Sequence, residues 1–596
     1  MKRRFNLVFF LLIAIIGQNA IAAANHNDIR VVIDVSGSMK ETDPLNLRIP
    51  GMKMLNGLIL DGSYAGVWNF GRYVDMTVKW GKVDNAWRKQ ADIGAAKIHS
   101  RGLYTNIESA LAQATLGWEK ADTKAKRSII LLTDGQVDIS KDKNKNKASR
   151  KTILTKSIQA LKKSGVKVHA IALSKDADET LLKQLALETS GSFETAESAE
   201  ELQKIFLKLF ERATEPDMIE LEGNEFTIDK SIKELTLLIF RPKGSILTQL
   251  YPPGATVINS KLKGESTWRI EEGYDLITIK EPIVGIWKID AYSDSDNRLM
   301  VVTDLKLNLL DVPTYMTPSQ PLSIAAELYN KGKKISKNSF LRFVEFGLMH
   351  IDESDTENQL VLTHSEVRED KGQYLHLFEG SLAEGKHQFI VTIDSQTFNR
   401  SKRIDVEVQW PVKVEIKPIA EPGTYRLTIQ AREEYLNPDT LQPNVQIKTP
   451  NGEQLALKLF NISNVWEAEV KTNQAGLYQV LIDITAQSVN GEKLKYDLGA
   501  FSMVGVYKIP EVEIVSKSDL NDGADLDSIK EEVAVLEEKT NWTQILIIVG
   551  ATNLALILII GGIYFMFRRS SKNVEFSLDD ELISETKPKE DESFNV

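Results

Sequence analysis

From Ile545 to Phe567 the chain runs 23 residues without a charge. At about 1.5 Å per helical residue that stretch covers a hydrocarbon core of about 30 Å. Arg568, Arg569 and Lys572 follow at once, and Glu537 and Glu538 offset Lys539 on the other side. Positive flanks stay cytoplasmic, so the spacing predicts a single transmembrane helix over 545–567, a cytoplasmic tail over 568–596 and an exported body. The other end agrees. Lys2, Arg3 and Arg4 precede an apolar run from Leu7 to Ile16 and a small-residue exit at Ala22–Ala24, which reads as a signal peptide over 1–24. The chain has no cysteine. An exported body without disulfides suits a bacterial periplasm, so the expected location is the inner membrane with the ectodomain outside.

Composition narrows the chemistry. Without cysteine there is no thiolate nucleophile, zinc–thiolate site or iron–sulfur cluster. None of the seven histidines shows the H-E-x-x-H spacing of a zinc protease. A net charge of −10 argues against nucleic acid as a partner.

Residues 28–213 alternate short apolar strands with helical periodicity, the pattern of a doubly wound α/β domain with a parallel sheet. Ile29-Arg30-Val31-Val32-Ile33-Asp34 reads as a strand covered on both faces. Further strands are expected at 64–70, 74–80, 128–133, 166–173 and 191–194, with helices at 154–163 and 198–212. From Asp217 onward, short runs such as Leu235–Phe240 and Tyr274–Ile279 sit between Gly, Pro, Asn and Asp clusters. These read as all-β sandwich modules, divided as 217–311, 312–411 and 412–508. An acidic stalk over 509–543 would lead to the membrane.

Within the α/β domain, Asp34-Val35-Ser36-Gly37-Ser38 follows the first strand, Thr105 enters a helix, and Asp134 ends the strand 128–133. Open α/β sheets bind ligands at the carboxyl ends of their strands, where the strand order reverses. Two carboxylates and three hydroxyls form an all-oxygen set suited to Mg²⁺, Mn²⁺ or Ca²⁺.

This pattern resembles the metal-ion-dependent adhesion site of the von Willebrand factor A domain. The resemblance covers 28–213 and includes all five motif positions. It implies that Ser36, Ser38 and Thr105 bind a divalent cation, Mg²⁺ first, directly or through water. It implies that Asp34 and Asp134 hold coordinating waters, and that a protein ligand completes the shell with an Asp or Glu carboxylate. Where the family commonly has Gly-Gly before the Thr, this chain has Arg101-Gly102-Leu103-Tyr104. The whole arrangement resembles proteobacterial single-pass membrane proteins with an N-terminal A domain, here expected at the membrane-distal end of a β stalk. The alternative is an accessory or assembly subunit of an inner-membrane complex.

Three further segments invite a reading. Lys141, Lys143, Lys145 and Lys147 form a basic loop after Asp134, suited to steering an acidic partner within a Debye length of about 8 Å. Asp294-Ser295-Asp296-Asn297 reads as a hairpin turn rather than a calcium loop. His350, His364, His376 and His387 lack ligand or triad spacing, so a binding protein is expected rather than an enzyme.

Overall fold

The structure is a computed structural model that describes residues 26–505, apart from 123, 197–198, 222, 243, 255–256, 259–265, 272, 311, 354–356, 363–366, 369–371, 379–381, 396 and 422. The expected signal peptide, stalk, transmembrane helix and tail lie outside the described residues. Among the described residues no helix is long and apolar enough to cross a membrane.

The N-terminal domain is built on six strands: β1 (His26–Asp34), β2 (Tyr64–Phe70), β3 (Val74–Lys82), β4 (Ala125–Thr133), β5 (Val166–Ala172) and β6 (Ser192–Thr195). Their order is β3-β2-β1-β4-β5-β6. Residues 28–34 of β1 are all buried, as a β-branched strand between two helical layers must be. The sheet is mixed rather than wholly parallel. β3 runs antiparallel to β2, with Phe70 opposite Val74, because the turn 71–73 is too short for a crossover helix.

Among the described residues eight α-helices cover the sheet: α1 (Met39–Thr42), α2 (Arg48–Leu58), α3 (Asn85–Ala95), α4 (Ile107–Ala114), α5 (Lys143–Thr152), α6 (Ile158–Lys163), α7 (Glu179–Glu188) and α8 (Ala199–Thr214). One core packs Leu55, Leu58, Ala91 and Phe206 from α2, α3 and α8 against Val31 and Ile33. The other packs Leu111, Leu161 and Leu185 from α4, α6 and α7 against Val32 and Leu131. The helix expected at 154–163 begins earlier, and a π-turn at Ile153–Ser157 joins α5 to α6. That extra residue in the turn brings Ile153 into the core, fully buried.

Every β region is a pair of facing sheets with its own core. The clusters are Ile219–Val301, Leu305–Val408 and Trp410–Met503. The first two regions share one ten-stranded sheet, because the short strand Asp217–Ile219 pairs with Arg298–Thr303 on one side and with Phe398–Val408 on the other.

The N-terminal domain is built into the β body. Along the strand Ile232–Phe240, Leu235, Leu237 and Ile239 enter the first β core, whereas Leu238 and Phe240 enter the core of the N-terminal domain beside α2 and α8. Period-two alternation thus serves two cores at once. α2 approaches so closely that a Cβ at Gly57 would lie 2.2 Å from Leu276 Cδ2. This explains a glycine inside a helix, where it costs about 1 kcal/mol relative to alanine.

Polar contacts reach all three β regions. Arg298 Nε donates to Glu211 Oε1 at 2.6 Å, Arg212 Nε to Asp405 Oδ2 at 3.1 Å, and Gln184 Nε2 to the Glu433 carbonyl at 3.0 Å.

Asp294-Ser295-Asp296-Asn297 is a turn, with the Asp294 carboxylate accepting from the Asp296 amide at 2.8 Å. It is not a hairpin. It carries the chain from Gly285–Asp290 in a three-stranded sheet to Arg298–Thr303 in the long sheet, and Lys204 of α8 pairs with Asp294 and Asp296.

Candidate metal centre

β1 and β4 are neighbours at the point where strand order reverses; β1 ends in Asp34, and Asp134 directly follows β4. The Asp34 side chain is completely buried. Its Oδ1 accepts from the Ser36 amide at 2.8 Å and its Oδ2 from Thr133 Oγ1 at 2.6 Å. Asp134 is 2% exposed. Its Oδ1 accepts from Ser38 Oγ at 2.9 Å and from Ser36 Oγ at 3.5 Å, and its Oδ2 accepts from Thr42 Oγ1 at 2.7 Å.

Ser38 occupies the N-cap position of α1 but makes no capping bond. Its hydroxyl is directed to the carboxylate instead, 3.0 Å from Ser36 Oγ. Ser36 is buried, whereas Ser38 is exposed, so the cluster opens to solvent on one side.

Thr105 reaches the site by a different route. Its backbone exchanges two hydrogen bonds with Asp138, at 2.7 and 3.0 Å. This joins its loop to the segment that follows Asp134. A Cβ at Gly135 would lie 3.5 Å from Thr105 Oγ1, so the hydroxyl faces the residue next to Asp134. Gly102 pairs with Val35 through a 2.7 Å amide–carbonyl bond, and a Cβ there would meet the same carbonyl at 2.7 Å. Only glycine allows that approach.

Arg48 was not singled out in the sequence, yet it supports the whole arrangement. Fully buried, it donates from Nη1 to the Asp34 carbonyl at 2.6 Å, from Nε to Asp43 Oδ2 at 2.7 Å, and from Nη2 to Ser100 Oγ at 2.7 Å. One guanidinium therefore straps together the end of β1, the α1–α2 corner and the loop leading to Thr105. Thr42 was also missed. It lies four residues after Ser38, on the same helical face, and that spacing was the available signal.

The donor set fits a hard cation. Among the described residues neither motif aspartate forms an ion pair, so both buried carboxylates rest on hydroxyls and, at Asp34, on the Ser36 amide. Among the described residues no three His, Asp or Glu side chains gather as a metal group, and the hydroxyls supply the remaining oxygens. Burial is the main force raising the Asp34 pKa, to about 6; Asp134 adds to it, while the bonds from Thr133 and Ser36 oppose it.

The sign follows directly. The proton's contribution to metal-free stability is complete below the unfolded value of 3.8 and is lost as pH rises through about 6. A cation bound at these oxygens would compete with that proton, so any rise in melting temperature on adding Mg²⁺ is expected to be full at pH 7.5 and to shrink as pH falls through 6. A constant rise from pH 7.5 to 5 would show that Asp34 does not feel the ion.

The basic segment is no loop. Asp142 Oδ1 caps α5 by accepting from the Asn144 amide at 2.9 Å, and Asn146 Nδ2 donates to Asp138 Oδ1 at 2.9 Å. Asp138 also pairs with Thr105, so Lys143, Lys145 and Lys147 are carried on a helix tied to the site. Elsewhere His387 has both ring nitrogens engaged, with His350 Nε2 and with the Ala383 carbonyl, each at 2.8 Å. His364 lies outside the described residues. A Ser–His hydrogen bond joins Ser192 Oγ and His169 Nδ1 at 2.8 Å inside the sheet, with His169 only 1% exposed. Burial there holds the imidazole pKa down to about 3, so the ring is neutral.

Residues 28–208 match the family model of the von Willebrand factor type A domain. No curated protein matches the chain. Among solved structures the chain is similar to von Willebrand factor type A from Catenulispora acidiphila, with 15% identity and a TM-score of 0.27 over 52% of this chain and 64% of that one. It is similar to proximal thread matrix protein 1 from the mussel byssus with a zinc-occupied MIDAS motif, at 18% identity and a TM-score of 0.27 over 35% and 51%. It is also similar to the conserved hypothetical protein BatB from Bacteroides thetaiotaomicron, at 15% identity and a TM-score of 0.25 over 32% and 98%. The chain thus spans about half to two thirds of the first two.

Proposed function

Residues 28–208 being a von Willebrand factor type A domain, we propose that this domain binds a protein ligand through a divalent cation. On this reading Ser36, Ser38 and Thr105 hold the ion, and Asp34 and Asp134 fix its waters. When bound, the cation would supply positive charge at an outward coordination position, which a ligand Asp or Glu could fill. Mg²⁺ suits the oxygen set first, with Mn²⁺ and Ca²⁺ as alternatives.

The observation that carries this reading is the meeting, at the β1–β4 switch point, of two buried carboxylates with no cationic partner among the described residues, ringed by hydroxyls. The chain's own groups would do the rest. Arg48 fixes the loops, Thr133 and Thr42 orient the carboxylates, and exposed Ser38 leaves the approach open. The reading further takes the protein as anchored in a bacterial inner membrane by 545–567, with the domain in the periplasm. Support for that comes from the two terminal apolar segments and the lack of cysteine.

The test is a pull-down from a membrane extract with the full-length protein in Mg²⁺, in EDTA and as Asp34→Ala. A partner retained only by the first sample is expected. Equal capture in all three samples removes metal-dependent recognition. The second reading, an accessory or assembly subunit, draws on the domain being built into the β body. It predicts a stoichiometric membrane partner that stays bound in EDTA.

A further inference from the structure

The end of the sheet that carries Asp34 and Asp134 also holds three large apolar side chains in water. Leu45, Tyr73 and Leu103 are 73%, 72% and 67% exposed. Isolated exposed apolar residues are ordinary, but a group on adjoining loops is not. These loops are bound to one another. Asn46 Nδ2 donates to the Ile98 carbonyl at 2.8 Å, the Asn106 amide donates to the Gly71 carbonyl at 3.1 Å, and a Cβ at Gly71 would lie 3.3 Å from the Leu103 carbonyl. Tyr73 and Leu103 therefore stand on a rim of loops bound to one another, and Leu103 follows Gly102, which pairs with Val35 and Ser36 at the site.

Tyr104 adds to the rim at a backbone cost. Its φ is 65°, a region unfavourable for a bulky residue and better served by glycine. The Arg72 guanidinium lies 5.6 Å from the Tyr73 ring centre and 5.8 Å from that of Tyr104, bridging the two aromatics.

Charge on this end leans basic. Arg72, Arg101 and Lys40 are exposed, as are the lysines at 141, 143, 145 and 147. Against these seven bases stand the acids Glu41, Asp75, Asp138 and Asp142, the last two tied to Asn146 Nδ2 and the Asn144 amide. An apolar, aromatic rim inside a basic field around a carboxylate-seeking centre is complementary to one kind of surface.

We propose that the occupant is an acidic protein segment in which the metal-seeking Asp or Glu lies beside a large apolar side chain seated on Leu103 and Tyr73, with further acids facing Arg72, Arg101 and the α5 lysines. This rests on the metal-site reading above and deepens it by naming the partner's chemistry.

The test uses the full-length protein and fluorescein-labelled synthetic peptides, read by anisotropy in Mg²⁺ and in EDTA. One peptide carries Asp between Phe and Leu with glutamates at both ends. A second has Ser for Phe and Leu, and a third has Asn for Asp. In Mg²⁺ the first is expected to bind at least about tenfold tighter than the second, the range that burial of one apolar side chain supplies, and the third is not expected to bind. The double variant Leu103→Ser, Tyr73→Ser changes only exposed positions. It should erase the difference between the first two peptides and leave the second unchanged. Equal binding of the first two in Mg²⁺ but not in EDTA overturns the rim proposal and leaves the metal reading standing. Binding of the first peptide that is the same in Mg²⁺ and EDTA removes both.

Discussion

On the proposed metal-site reading, Asp134→Asn is expected to abolish stabilisation by Mg²⁺ while leaving the metal-free protein at least as stable. The two halves have different causes. A ligand present at about one hundred times its dissociation constant stabilises the folded state by about 2.7 kcal/mol, and that increment needs the anionic oxygens. Ser38 and Thr42 now donate to the two carboxylate oxygens at 2.9 and 2.7 Å; asparagine keeps one acceptor for one of these hydroxyls and donates its Nδ2 to the other, which rotates to accept. It removes a buried negative charge that raises the pKa of Asp34, so the metal-free fold is relieved of repulsion. Melting curves of both proteins in EDTA and in Mg²⁺ measure the two effects separately. A variant that responds to Mg²⁺ like the wild type would place the ion elsewhere.

Arg298→Ala is expected to cost about 3–5 kcal/mol, the range for stripping one partner from a buried ion pair. Both side chains of the Arg298–Glu211 pair are nearly inaccessible, at 6% and 7%. Arg298 Nη1 also donates to the carbonyls of Ser295 and Asn297, at 2.8 and 3.1 Å, so its loss leaves acceptors as well as a carboxylate unpaired. Burial pushes the Glu211 carboxyl up even with the arginine present. Without it the group favours its protonated form further, so the loss should shrink as pH falls. The double variant Arg298→Met, Glu211→Leu should recover much of the loss, because the buried carboxylate of the pair is then not left without its partner. Urea unfolding measures all three proteins. A single-variant loss below about 1 kcal/mol would mean that the Arg298–Glu211 pair contributes little to holding α8 against the β body.

The composition of the site was legible because its chemistry is local in the chain. Asp34-Val35-Ser36-Gly37-Ser38 lies within five positions, and a β-branched run ending in aspartate identifies a strand whose carboxyl end carries a ligand group. Arg48 and Thr42 were not legible in the same way. An arginine in a sequence is read as surface by default, and only the packing of α2 beneath β1 turns this one into a fully buried strap. The basic run 141–147 looked like a loop because its lysines carry no apolar periodicity. Its helix starts through an Asp142 cap and is held by Asn146, contacts that pattern reading does not weigh.

The amino-acid sequence by itself determined the alternation of strands and helices to residue 213, the β character beyond it, and the oxygen set that a hard cation prefers. Each follows from properties of neighbouring residues, namely side-chain branching, turn chemistry and period. Tertiary structure alone decided that Asp134 meets Ser36 and Ser38, that Thr105 comes beside Gly135, that β3 turns back against β2, and that the domain is embedded in the β body. The apolar stretch Leu235–Phe240 shows why. A run buried on both faces carries the same letters whichever two cores cover it, and the choice of cores rests on long-range fits such as Gly57 against Leu276.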